Sequence, residues 1–153
     1  MARLVRTAVL VCAIVAIATG VASAAPPERS APTRVEFDID FSGICDFPLV
    51  AHVEGFTHFK TFVDANGDPI RGWTGGQLFV TWERTETGET RRFAIPGPTF
   101  FAADGTPIRG TGRWANPEPN GTWYIMAGNL TLDANFNTIA LKGRKVPVCD
   151  LFA

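Results

Sequence analysis

The chain has little of the chemistry from which active sites are most often assembled. It carries two histidines, His52 and His58, and three cysteines in 153 residues. No serine stands in a G-x-S-x-G elbow and no C-x-x-C pair occurs. A nucleophile-elbow hydrolase and a thioredoxin-type redox site are therefore disfavoured by residue supply alone. Basic runs are also missing, so no electrostatic footprint for nucleic acid or an anionic membrane is visible. Beyond the first residues no window repeats apolar positions at i, i+3, i+4 and i+7, and helix is expected to be scarce. No later apolar run approaches the roughly 20 residues that span a bilayer as a helix.

The amino terminus is the exception to this polarity. Arg3 and Arg6 precede an apolar stretch from Ala8 to Ala18, followed by Gly20 and the small-residue triplet Ala22, Ser23 and Ala24. That order of charged, apolar and small residues predicts a secretory signal peptide over residues 1–24. The apolar stretch is short for a membrane anchor. The arginines are not adjacent, which disfavours a twin-arginine leader, and no lipobox precedes Cys12. Removing Arg3 and Arg6 leaves 12 of the 14 basic residues against 15 acidic ones, a formal charge of −3. The expected location is secreted and extracellular, without a membrane contact after cleavage. Residues 25–33 read APPERSAPT, whose prolines and small polar residues predict a flexible tether. Residues 34–153 form one domain, long enough to bury roughly two-thirds of the unfolded chain's surface.

Cleavage also removes Cys12, leaving Cys45 and Cys149. In an oxidising compartment such a pair, one near each end of a domain, is read most simply as a disulfide.

From Arg34 to Phe41, Val35, Phe37, Ile39 and Phe41 alternate with Glu36, Asp38 and Asp40. Period two over eight residues predicts a half-buried strand. Further β-rich segments span 47–53, 56–63, 77–84, 90–95, 99–102, 108–114, 122–132 and 138–148, with Leu78, Val80 and Trp82 sharing one face of theirs. Asn66-Gly67, Thr87-Gly88, Asp104-Gly105 and Asn120-Gly121 supply the positive φ angles that tight hairpins need. The segment 61–72, TFVDANGDPIRG, matches 99–110, TFFAADGTPIRG, at eight of twelve positions, and a fainter copy begins at Asp133. The same hairpin used repeatedly explains this without duplicated binding loops. The expected fold is all-β: a single antiparallel barrel or meander, lipocalin-like in general shape, with a β-sandwich as the alternative.

Candidate chemistry is thin. Asp64, Asn66 and Asp68 begin like a calcium loop, but Pro69 and Gly75 stand where that loop needs Gly and a bidentate Glu, so no metal and no cofactor is expected. His52, Glu54 and His58 are the candidate catalytic or ligating residues. His52 and Glu54 on one strand would share a face, and His58 on a following strand would complete a general-base site. Asp38 and Asp40 alternate onto one strand face, where neighbouring carboxylates are normally solvated rather than placed across a cleft. Trp73, Trp82, Trp114 and Trp123, with twelve phenylalanines, are the candidate ligand-binding residues if inward rings line an apolar cavity. Gly112-Arg-Trp114 and Gly121-Thr-Trp123 match the lipocalin G-x-W pattern, though late in the chain, whereas lipocalins carry theirs on the first strand. Asn120-Gly-Thr122 and Asn129-Leu-Thr131 are formal glycosylation sequons.

The segments CDFPLVAHVEG, ERTETGE, GPTFFAADGT, GTGR and VCDLFA, in that order, resemble a family of small secreted β-rich proteins of actinobacteria. The resemblance covers essentially the whole domain. It implies an exported β domain with a cysteine near each end, and carries no catalytic residue across. Residues 83–89 depart from the T-N-L-D-T-G-K of that family's central turn.

These features favour an exported, non-enzymatic binding or interaction module, its partner a small apolar molecule or an extracellular protein. A secreted cyclase or hydrolase working through His52, Glu54 or His58 at a barrel mouth is the second reading. An envelope or inhibitor-like interaction protein is the third. The three differ in what the middle of the domain contains: a pocket holding both histidines, a dry apolar lumen, or a filled core.

Overall fold

The computed structural model describes residues 26–153. The expected leader, residues 1–24 with its cleavage site and Cys12, lies outside the described residues. The rest forms nine strands: β1 (Glu28–Arg29), β2 (Thr33–Asp40), β3 (Leu49–Val63), β4 (Pro69–Arg84), β5 (Glu89–Ala94), β6 (Thr99–Phe101), β7 (Pro107–Pro117), β8 (Trp123–Leu132) and β9 (Thr138–Pro147). The one helical element among the described residues is a 3-10 turn, Cys149–Phe152. No helix there is long and apolar enough to cross a membrane.

All pairings are antiparallel, and the chain meanders through a single sheet. β3 carries β1 and β2 along one edge and β4 along the other. β4 pairs in turn with β5 and β6, after which β7, β8 and β9 follow in order. Glu28–Arg29, within the segment read as a tether, pairs with Thr61 and Lys60, and Ser30 Oγ accepts the Phe59 N–H at 2.8 Å.

β3 and β4 are longer than the sequence pattern predicts. The segments expected at 47–53 and 56–63 are one strand that runs through Gly55, whose φ is +136°. A Cβ there would lie 2.0 Å from the Gln77 carbonyl oxygen on β4, so only glycine permits the approach. Gly128, at φ +145°, takes the equivalent conformation in β8 and stands opposite Gly112 and Gly143 on its neighbours. The two halves of the sheet share one core. Phe41, Ala51, Val53, Val80 and Trp82 of the first half share a core with Ile125, Val148 and Phe152 of the second. A smaller cluster of Met126, Leu130 and Leu132 lies on the other side of β8.

Three hairpins at one end of the sheet repeat one design. In each, the first residue of a five-residue loop donates its N–H to the carbonyl of the fifth, and the fourth donates back to the first: 64–68, 102–106 and 133–137. The fourth position is Gly67, Gly105 or Phe136, all at positive φ. A shift in strand register accompanies each turn, the signature of a bulged three-residue hairpin loop. Asp64 Oδ1 accepts the amides of Asn66 and Asp68, and Asp133 Oδ1 those of Asn135 and Asn137. The D-x-N-x-D segment is thus a turn whose first carboxylate is hydrogen-bonded by its own backbone.

The expected barrel does not close. Among the described residues β9 pairs with β8 alone, and β1 and β2 pair with β3 alone, so the sheet keeps two free edges. After Pro147 the chain turns into the 3-10 helix and sends Val148 and Phe152 into the core, where a continuing strand would be needed to reach β2. The seam is held covalently instead. Cys45, in the loop after β2, is bonded to Cys149, just beyond β9, with their Cα atoms 5.6 Å apart. An open antiparallel meander folded over a core, closer to a sandwich than to a barrel, describes the protein.

Candidate functional site

The alternation that builds β2 and β4 also shapes a cavity between the two halves of the sheet. Phe37 and Ile39 line it from β2 and Phe41 from just beyond that strand, Ala51, Val53 and Thr57 from β3, and Thr74, Leu78, Val80 and Trp82 from β4. Its volume is about 270 Å³. Ile95, Pro96 and Gly97, the link between β5 and β6, supply another wall, and Trp114, Ala115 and Trp123 come from the far half. No Asp, Glu, Lys, Arg or His is among the lining residues; besides the indole N–H groups, of which that of Trp82 is buried without a hydrogen-bond partner, the polar side chains are the hydroxyls of Thr57, Thr74 and Thr99. Phe37 is 48% exposed, so the cavity reaches solvent at β2.

Three of the four tryptophans meet here. Trp82 and Trp123 pack around Phe41 with ring centroids 4.9 and 4.7 Å from its own, closing one end of the cavity. Trp114 turns its Nε1–H onto the Thr111 carbonyl at 2.9 Å, which satisfies its polar edge and leaves the ring as an apolar wall. Trp73 is elsewhere. It lies on the opposite face of β4, with the Lys60 ammonium 5.0 Å from its ring centre and the His58 ring 5.2 Å away.

His52, Glu54 and His58 all belong to β3, with no loop between them, and occupy alternate positions on its outer face. None lines the cavity. His52 Nδ1 is 2.6 Å from Asp38 Oδ1 on β2, and this hydrogen bond raises its pKa above the usual histidine value, against partial desolvation. The Glu54 carboxylate accepts from Arg92 at 2.6 Å. His58 is pushed below the usual value, first by desolvation and then by the positive charges of Arg29 and Lys60. The geometry pairs each residue with a different neighbour, so the trio makes no common site. Among the described residues no group of three His, Cys, Asp or Glu side chains is placed to hold a metal ion.

No family model, no curated protein and no solved structure matches the chain. Several of the cavity's lining residues were not singled out by type: Phe37, Ile39, Phe41, Leu78 and Val80 are ordinary core residues in a strand pattern. Their shared faces are readable in the sequence; that the faces leave a gap between them is not.

Proposed function

We propose that the protein is an exported binding module that takes up a small, uncharged, largely apolar molecule in the cavity between the halves of its sheet. The supporting observation is the lining: three indole rings, aliphatic side chains and three threonine hydroxyls around about 270 Å³, without an ionisable group. Such a wall rewards transfer of apolar surface from water, and the hydroxyls orient a ligand that carries a single polar group. Ions are disfavoured, because a buried charge would find no partner there. Cysteine pairing and the amino-terminal leader pattern support export, and the resemblance to secreted actinobacterial β proteins agrees with it.

The neutral fluorescent probe N-phenyl-1-naphthylamine tests this reading. Excitation of Trp82, Trp114 and Trp123 should produce sensitised probe emission that saturates at one probe per chain. Val53→Phe, which fills the cavity from β3, should weaken uptake by about tenfold or more, with overpacking costing about 1 to 3 kcal/mol of stability. Emission that never saturates, or uptake unchanged in a folded Val53→Phe protein, would remove the cavity from the account.

A further inference from the structure

One row of residues crosses the outer face of the sheet. Arg29 stands opposite Lys60, Lys60 opposite Trp73, Trp73 opposite Phe100, and Phe100 opposite Arg109, from β1 through β3, β4 and β6 to β7. Paired residues of antiparallel strands project to the same side, so the five form one ladder. At about 4.8 Å per strand it is roughly 19 Å long. Two residues further along β3 and β4, Phe62 stands opposite Arg71 on the same face.

The rings hold the cations. Arg71 lies 4.3 Å from the Phe62 ring centre, Arg109 4.3 Å from that of Phe100, and Lys60 5.0 Å from that of Trp73. Arg29, Arg71 and Arg109 are exposed. Among the described residues none of these four cations makes an ion pair, although Arg34, Arg84, Arg91, Arg92 and Lys145 all do. A guanidinium held over a ring keeps its N–H donors for an anion.

Charge is segregated along this face. Toward the disulfide end the same side of β2 to β5 carries Glu36 opposite Glu54, Asp38 opposite His52, and Asp40 and Glu83 opposite Val50, five carboxylates against Arg34 and Arg92, which pair with Glu36 and Glu54. The depressed pKa of His58, caused in part by Arg29 and Lys60, agrees with a positive field on the other half.

We propose that the row Arg29–Lys60–Arg109, with Arg71, binds a linear acidic polysaccharide across the strands. Charge complementarity selects an anion, and the arginine forks suit carboxylate or sulfate groups. Shape selects a thin chain. The hairpin tips just beyond the row carry Asp64, Asp68 and Asp104, which a bilayer or a duplex would meet and a single polysaccharide strand would pass by. Single-stranded nucleic acid needs free ring faces for its bases, and here each ring already faces a cation.

Binding of the purified chain to polygalacturonate and dextran sulfate tests the proposal, with neutral dextran, oligo-dT, and vesicles of phosphatidylglycerol in phosphatidylcholine alongside. Saturable binding to at least one acidic polysaccharide is expected at low salt, weakening steeply as screening increases. Arg71→Glu with Arg109→Glu should lower affinity by about tenfold or more, the matching glutamine pair by less, and Glu83→Gln by under about twofold. Probe uptake by the cavity should be unchanged in the arginine variants, because neither side chain lines it. Four results would overturn the proposal: no binding to either acidic polymer, wild-type affinity in both arginine double variants, tighter binding to oligo-dT or vesicles, or a salt-sensitive dimer that buries the row against the acidic half of a second copy.

Discussion

Trp73 and Trp82 lie on one strand and do opposite work, because an odd and an even position face opposite sides of a pleated sheet. Trp82 is fully buried beside Phe41, whereas Trp73 carries Lys60 on the outer face. In the sequence the four tryptophans are equivalent candidates; strand length and parity separate them. His52 and His58 divide in the same way, by their neighbours. His52 is raised by the Asp38 hydrogen bond and His58 is lowered by desolvation and two cations. A raised histidine contributes stability that is complete below its unfolded-state pKa of 6.5 and is lost as pH rises through its folded-state value; a lowered one contributes stability present above 6.5 and lost as pH falls through its folded-state value. A proton NMR titration of the two imidazoles should therefore find His52 above 6.5 and His58 below it. Asp38→Asn should return His52 toward 6.5 and cost more stability at about pH 5.5 than at about pH 8. Titration of His52 unchanged by Asp38→Asn would show that the bond to β2 does not form in solution.

At the scale of elements, β3 and β4 carry the architecture. Their alternation and their flanking turns are legible, and so is the repeated hairpin at 64–68, 102–106 and 133–137, whose Asp, Asn and Gly residues match its hydrogen bonds. Glycine is where the reading broke a strand that the structure continues: Gly55 interrupts the apolar pattern, and a local reading takes it as an end. In three dimensions the strand continues through it, because the missing side chain lets β3 approach the Gln77 carbonyl. Gly55→Ala forces a Cβ into that carbonyl at a φ that side chains rarely adopt, and should lower stability by about 2 kcal/mol or more. Urea unfolding measures it. A change within about 0.5 kcal/mol would mean that β3 gives way to a side chain there at no cost.

For the whole molecule the decisive feature is an open sheet with a covalent seam. The Cys45–Cys149 bond closes a loop of 104 residues between the β2–β3 connection and the end of β9, the two places where a barrel would have been joined by a ladder. Replacing both cysteines by serine should lower stability by about 4 to 5 kcal/mol on the chain-entropy model, read as a shift of the urea midpoint. A midpoint that does not move would show that Val148 and Phe152 hold the seam by packing alone. The sequence by itself determined the all-β class and the antiparallel turns, because each is written in short windows, and it pointed to Cys45 and Cys149 as the cysteines placed one near each end of the domain. Only the tertiary structure decided that the sheet stays open, that three tryptophans share a cavity while the histidines stay outside it, and that scattered basic residues align in one row. Those outcomes depend on strand curvature and register, which bring together residues far apart in the chain, and no local pattern encodes that distance.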